Sequence, residues 1–222
     1  MKKTLGLVHT SATLVPMFQQ LTKQYLPHVE TFNIADDSLV RACAAAGSLT
    51  PAIARRVASH IAAAEAAGAS AILVTCSSIG AAAEAAAPFT GIPLLRVDQP
   101  MADEAVAMGT KIGVIATLST TLNPTADLIK RRAAKAGKAI SLTAKLAEGA
   151  FPALMAGDTA THDALVTAAL KELAAEVDVI LLAQASMARV VDALPAAEKT
   201  RPILASPPIA MQYLATLPEL KA

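Results

Sequence analysis

The feature that most constrains this chain is a succession of apolar runs and helical stretches that occurs twice. Residues 4–8 make a short strand-forming run, then comes a polar exit, His9-Thr10-Ser11, and then a helix over about 14–25. A second strand is expected over 29–34, followed by a polar connection over 36–50 with a short helical piece. A long helix over 51–67 is opened by Thr50-Pro51 and closed by Gly68, and it leads to a buried strand over 71–74. An alanine-rich helix, a strand over 92–97 ending at Asp98, and a helix over 101–108 complete the first pass. From Lys111 the order begins again. Strands are expected over 111–116, 139–143, 177–183 and 202–205, with helices over 123–136, 160–175 and 208–217 and a looser stretch over 144–159. Short buried strands separated by helices predict an α/β fold of two lobes related by a pseudo-twofold. Each lobe is a four-stranded parallel sheet flanked by helices, with a cleft between the lobes. The expected division is 1–108 and 109–207, with a closing helix over 208–218 returning to the first lobe.

Composition narrows what such a fold does. A formal net charge of +1 gives no reason to expect nucleic acid or an anionic membrane surface as partner. Four Phe, two Tyr and no Trp leave little material for stacking bases or sugars. No window approaches about 20 consecutive strongly apolar residues, so no membrane span is expected. The apolar run after Lys2-Lys3 stops at Val8, too short for a signal peptide, and points to a cytoplasmic protein. The two cysteines, Cys43 and Cys76, have no metal-ligand spacing, so neither a disulfide framework nor a metal site is expected.

The chemistry is expected at the carboxyl ends of the strands, where open α/β sheets bind ligands. The stretch Ala71-Ile-Leu-Val-Thr-Cys-Ser-Ser-Ile-Gly80 runs from strand to turn with Cys76 at the junction, where a following helix would point its amides at the thiol. An inert buried cysteine is the competing reading. Overlaying the halves sets Cys76 opposite Gln184. The same edges carry His9, Thr10, Ser11, Ser77, Ser78, Asp98, Thr117, Ser119, Thr120, Thr121, Asn123, Ser186 and Ser206. Hydroxyls and helix amino ends suit a small carboxylate, although capping is the commonest role of such residues. His9 is the candidate for extra proton chemistry; His162, near a helix start, is a weaker one, and His28, His60 and Cys43 read as structural.

These residues carry a resemblance. Val74-Thr75-Cys76-Ser77-Ser78, Lys111-Ile-Gly-Val-Ile-Ala-Thr117 and Leu182-Ala-Gln-Ala-Ser-Met-Ala188 resemble the aspartate/glutamate/hydantoin racemase superfamily across essentially the whole chain. The hydantoin branch, whose second motif reads Leu-Gly-Cys-Ala-Gly-Met-Ala, is nearest. The resemblance implies cofactor-independent chemistry on a small acid and a homo-oligomeric assembly. In the family's racemases, one cysteine removes the α-proton and the other delivers a proton to the opposite face. Here Cys76 keeps the first place and Gln184 takes the second, and an amide cannot take and return a proton near neutral pH. Arylmalonate decarboxylases of the family keep the other cysteine, whereas maleate-type cis-trans isomerases use the first-lobe cysteine as nucleophile.

The expected function is therefore a racemase- or isomerase-type enzyme using Cys76 as base or nucleophile on a small carboxylate. Thr10, Ser11, Ser77, Ser78, Asp98, Thr117, Ser119, Thr120, Thr121 and Ser186 would hold the substrate, and His9 or a water would stand in for the missing acid. A one-thiol decarboxylase, lyase or cis-trans isomerase is an alternative within the class. A non-catalytic binder of small acids, and cysteine hydrolysis or transfer, are alternatives outside it.

Overall fold

A computed structural model describes residues 3–221. Contacts divide the chain into two compact units: one runs to Gln99 and takes back the chain from Pro207 onward, and the other is Pro100–Ser206.

The first unit contains β1 (Thr4–His9), α1 (Val15–Tyr25), β2 (Glu30–Ala35), α2 (Asp37–Ala46), α3 (Pro51–Ala66), β3 (Ala71–Val74), α4 (Gly80–Ala86) and β4 (Leu94–Arg96). Its sheet has the order β2-β1-β3-β4, with every pairing parallel. All four residues of β3 are buried, which is why the run is continuously apolar rather than alternating. One apolar layer packs α2, α3 and α4 on the sheet through Leu39, Val57, Ile61, Ala83 and Cys43. The other packs Phe18 and Leu26 with Leu5, Leu7 and Leu73.

The second unit repeats this order. It contains α5 (Gln99–Met108), β5 (Lys111–Ala116), α6 (Ser119–Lys135), β6 (Ser141–Leu146), α7 (Ala150–Met155), α8 (Thr159–Ala174), β7 (Val179–Leu182), α9 (Ala188–Ala193) and β8 (Ile203–Ala205). Its parallel sheet runs β6-β5-β7-β8. The last helix, α10 (Ser206–Leu214), sends Ala210, Met211 and Leu214 into the Phe18 layer of the first unit, followed by Leu220.

Equivalent glycines hold the crossover helices close. Gly6 on β1 pairs with Ile72, and Gly113 on β5 pairs with Ile180. A Cβ on Gly6 would sit 3.2 Å from Ala69 and 3.3 Å from Ala64, and one on Gly113 would sit 2.8 Å from two Leu173 side-chain atoms.

Three expectations need correction. α6 begins at Ser119 and not at Asn123, so Ser119, Thr120 and Thr121 form its first turn and Pro124 lies inside it. The first four N–H groups of a helix need no internal partner, so small hydroxyl residues settle there readily. β6 begins two residues later than expected, because Gly137 (φ +64°) closes α6 and Ser141 N–H then donates to the Thr110 carbonyl. The loose stretch before α8 contains α7, bracketed by Gly149 and Gly157, both at positive φ.

Candidate active site

In the first unit, β3 delivers Cys76 at the start of a single 3-10 turn, Ser77–Ile79, and α4 follows only from Gly80. The turn beside the thiol is thus not the α-helical amino end expected from the sequence. Cys76 is half-buried, while Ser77 and Ser78 are buried. Thr75, just before the thiol, donates its hydroxyl to the Val8 carbonyl at 3.1 Å. Its oxygen also lies 2.8 Å from His9 Nδ1, and because its one hydrogen is spent on Val8 it accepts the proton that Nδ1 carries. His9 Nε2 lies 2.9 Å from Asn33 Oδ1. The carbonyl end of the Asn33 amide suits an imidazolium, and its NH2 end, reached by a half-turn, suits the neutral ring. Burial pushes the His9 pKa below its ordinary 6.5, against the opposing pull of the Asn33 bond. His9 is fully buried, packs on the Phe18 ring, and has both nitrogens engaged within its own unit.

The other first-unit candidates divide by role. Ser11 caps its own turn, accepting from Thr13 N–H and pairing with the Thr13 hydroxyl. Thr10 is buried beside it. Asp98 is fully buried, and Arg96 grips it through both oxygens, Nε to Oδ1 at 2.6 Å and Nη2 to Oδ2 at 2.8 Å. Arg96 also reaches Glu84 at 3.2 Å. Its guanidinium lies against Gly80, where an added Cβ would come within 2.4 Å of Cζ, so the start of α4 and the end of β4 lock together beside the Cys76 turn. Asp36 caps α2 and is also bound by Arg56 and His60. Burial opposes its ionisation, but these hydrogen bonds outweigh it and hold the carboxyl well below its usual range. Cys43 sits in the apolar cluster against which Cys76 packs; burial, and then the neighbouring Cys76 charge, push its thiol pKa up.

In the second unit, Gln184 occupies the place that Cys76 holds in the first. Both precede a 3-10 turn with nearly the same backbone, φ −130° and ψ 124° for Cys76 and φ −134° and ψ 135° for Gln184. Gln184 Oε1 accepts from Thr117 N–H at 2.5 Å and from Thr117 Oγ1 at 3.0 Å. Two residues on, α6 starts without a side-chain cap. Thr120 and Thr121 are buried there, and Thr120 Oγ1 has no hydrogen-bond partner among the described residues. Ser119 and Asn123 are exposed, and Ser186 is half-exposed in the turn after Gln184. Ser206 is buried at the start of α10. His162 is buried on α8 with Nδ1 2.7 Å from Asp163, which Arg189 binds through both oxygens.

Each unit thus gathers its strand-end candidates: Cys76, Ser77, Ser78, Thr10 and His9 in one, Gln184, Thr117, Thr120 and Thr121 in the other. Asn33, Thr75 and Arg96 were not singled out from the sequence. Asn33 offered a signal, an amide set between Phe32 and Ile34 in a strand, whereas Arg96 could be assigned only once its pairing with Asp98 was visible. Among the described residues no cluster of His, Cys, Asp or Glu could hold a metal, and no helix is long and apolar enough to cross a membrane.

Residues 5–214 match the sequence profile of a family described as Asp/Glu/Hydantoin racemase. The chain belongs to this family. Among solved structures, a glutamate racemase from Bacillus anthracis superposes with a TM-score of 0.73 at 20% identity, over 97% of this chain and 82% of that one. Aspartate racemase from Picrophilus torridus gives 0.71 at 13% identity, over 96% and 93%. Allantoin racemase from Klebsiella pneumoniae gives 0.71 at 14% identity, over 97% and 87%. No curated protein matches the sequence. These likenesses establish the racemase-family fold, two four-stranded parallel sheets flanked by helices.

Proposed function

We propose that this Asp/Glu/hydantoin racemase family member is a cofactor-independent isomerase of a small carboxylate that works with a single thiol, Cys76, as base or nucleophile. The observation that carries the reading is the placement of that thiol. It is half-buried at a strand's carboxyl end, held by a turn whose neighbour Thr75 is tied to His9 and to the backbone. The uncapped start of α6, with Ser119 and Thr120 N–H groups that have no place in the helix ladder and a buried Thr120 hydroxyl without a partner, supports a carboxylate as ligand.

With both ring nitrogens engaged, His9 holds Thr75 in place, and the proton stays with Cys76 or a water. One-thiol isomerisation, or loss of a carbon-bound carboxylate, fits this set better than two-sided racemisation. The test is turnover of single enantiomers of aspartate, glutamate and allantoin, and of maleate, followed by NMR in deuterium oxide, where racemisation exchanges the α-proton for deuterium and isomerisation or loss of a carboxylate gives new signals. Whichever substrate turns over, Cys76→Ala is expected to lower kcat at least about 1,000-fold, the scale on which losing an essential proton carrier or nucleophile falls. Turnover unaffected by Cys76→Ala removes the reading.

A non-catalytic acid binder is the second reading, favoured by Gln184 standing where the family's racemases have a thiol. It predicts that Cys76 reacts with iodoacetamide no faster than an unperturbed thiol of pKa about 8.5.

A further inference from the structure

The amide of Gln184 is fixed end for end. A backbone N–H only donates, so the Gln184 atom 2.5 Å from Thr117 N is the carbonyl oxygen, and the Thr117 hydroxyl donates to that same oxygen at 3.0 Å. Reversing the amide would set NH2 against N–H and leave two donors facing each other. The NH2 group therefore occupies the free end, and no described residue accepts a hydrogen bond from it. Gln184 is half-exposed, so this donor pair is not sealed in the core.

The same segment supplies further donors. Thr117 runs directly into α6, whose first two N–H groups are open and whose Thr120 hydroxyl is more than nine-tenths buried without a partner. The set is made of neutral donors. We infer that Gln184 is a preset hydrogen-bond donor for an anionic oxygen of the substrate, acting with the start of α6 and the Thr120 hydroxyl of the same unit. The inference rests on the carboxylate reading above and deepens it. Where a second thiol would move a proton, this amide binds charge, so the substrate must offer an acid or enolate oxygen to it.

The test uses the intact chain with succinate as probe at pH 8. Gln184→Glu keeps the side-chain size and an oxygen that can accept both Thr117 hydrogen bonds, but replaces the NH2 donors with a charged oxygen. Gln184→Met removes the donors without adding charge. In the parent protein, the Gln184 side-chain NH2 signals in a nitrogen-proton correlation spectrum, identified as the pair missing from both variants, are expected to shift saturably with succinate. Affinity is expected to fall at least about tenfold in Gln184→Glu and by a smaller factor in Gln184→Met, the range for hydrogen bonds to a charged group.

Signals that stay still at high succinate, or an affinity unchanged in Gln184→Met, overturn the inference. If one variant fails to fold, the other identifies the pair, and the parent protein's signals decide. Still signals together with turnover that depends on Cys76 overturn the inference and leave the functional reading standing. Moving signals together with turnover that survives Cys76→Ala do the reverse.

Discussion

His9 illustrates how a residue that looks like an acid in the sequence becomes a fixed post in the fold. Its ring is fully buried between Thr75, Asn33 and the Phe18 ring, and burial lowers its pKa below 6.5. The unfolded chain therefore binds the proton more readily, and between the unfolded and folded pKa values it carries more protons than the native state. Stability contributed by neutral His9 is present above pH 6.5 and is lost as the pH falls through the folded value. The urea midpoint is expected to drop between pH 7 and pH 5, and His9→Gln is expected to flatten that part of the profile. A midpoint in the parent protein that is level across this range would contradict it. At this scale much was legible: Cys76, Gln184 and the hydroxyl residues around them stand at strand ends, where the repeat put them. What was not legible was partnership. Nothing in the spelling of the chain says that Asp98 is closed off by Arg96, or that Thr117 turns the Gln184 amide around.

At the scale of elements, the two crossover helices show how the repeat is enforced by packing. α3 and α8 cross over the middle strand of their sheets at Gly6 and Gly113, and the second approach is the tighter. Gly113→Ala must push Leu173, itself 2% exposed, out of its place. It is expected to cost about 1–3 kcal/mol by overpacking. Gly6→Ala meets contacts of 3.2–3.3 Å and is expected to cost less. Paired denaturation curves check the order, and equal losses would show that the α8 approach is softer than drawn. Element order and type were readable because fully buried strands such as β3 and β7 are continuous apolar runs between helices. Boundaries were not. Pro124 invites a start at Asn123, but the actual start five positions before the proline, at Ser119, needs only that Ser119 and Thr120 take positions whose N–H groups lie outside the helix ladder, while Thr121 N–H donates to the Leu118 carbonyl at 3.1 Å.

At the scale of the whole molecule, the first unit is made of two pieces far apart in the chain. Ala210, Met211, Leu214 and Leu220 are fully buried in the layer that also holds Leu5, Leu7 and Phe18. His28 Nε2 binds the Leu220 carbonyl at 2.7 Å. Leu214→Ala is expected to cost about 2–5 kcal/mol, the range for emptying a fully buried leucine site. The loss should appear as faster hydrogen exchange in β1 and β3, with β5 and β7 much less affected. Equal loosening of all four strands would count against that division of the core.

This borrowing sets an order of events during synthesis. The half of the protein that leaves the ribosome first lacks part of its apolar filling until residues 207–220 are out. The half made second has all its strands in hand sooner. A nascent chain that has emerged from the ribosome as far as residue 206 should therefore hold a finished later half and an unfinished earlier one, which a chaperone would have reason to hold.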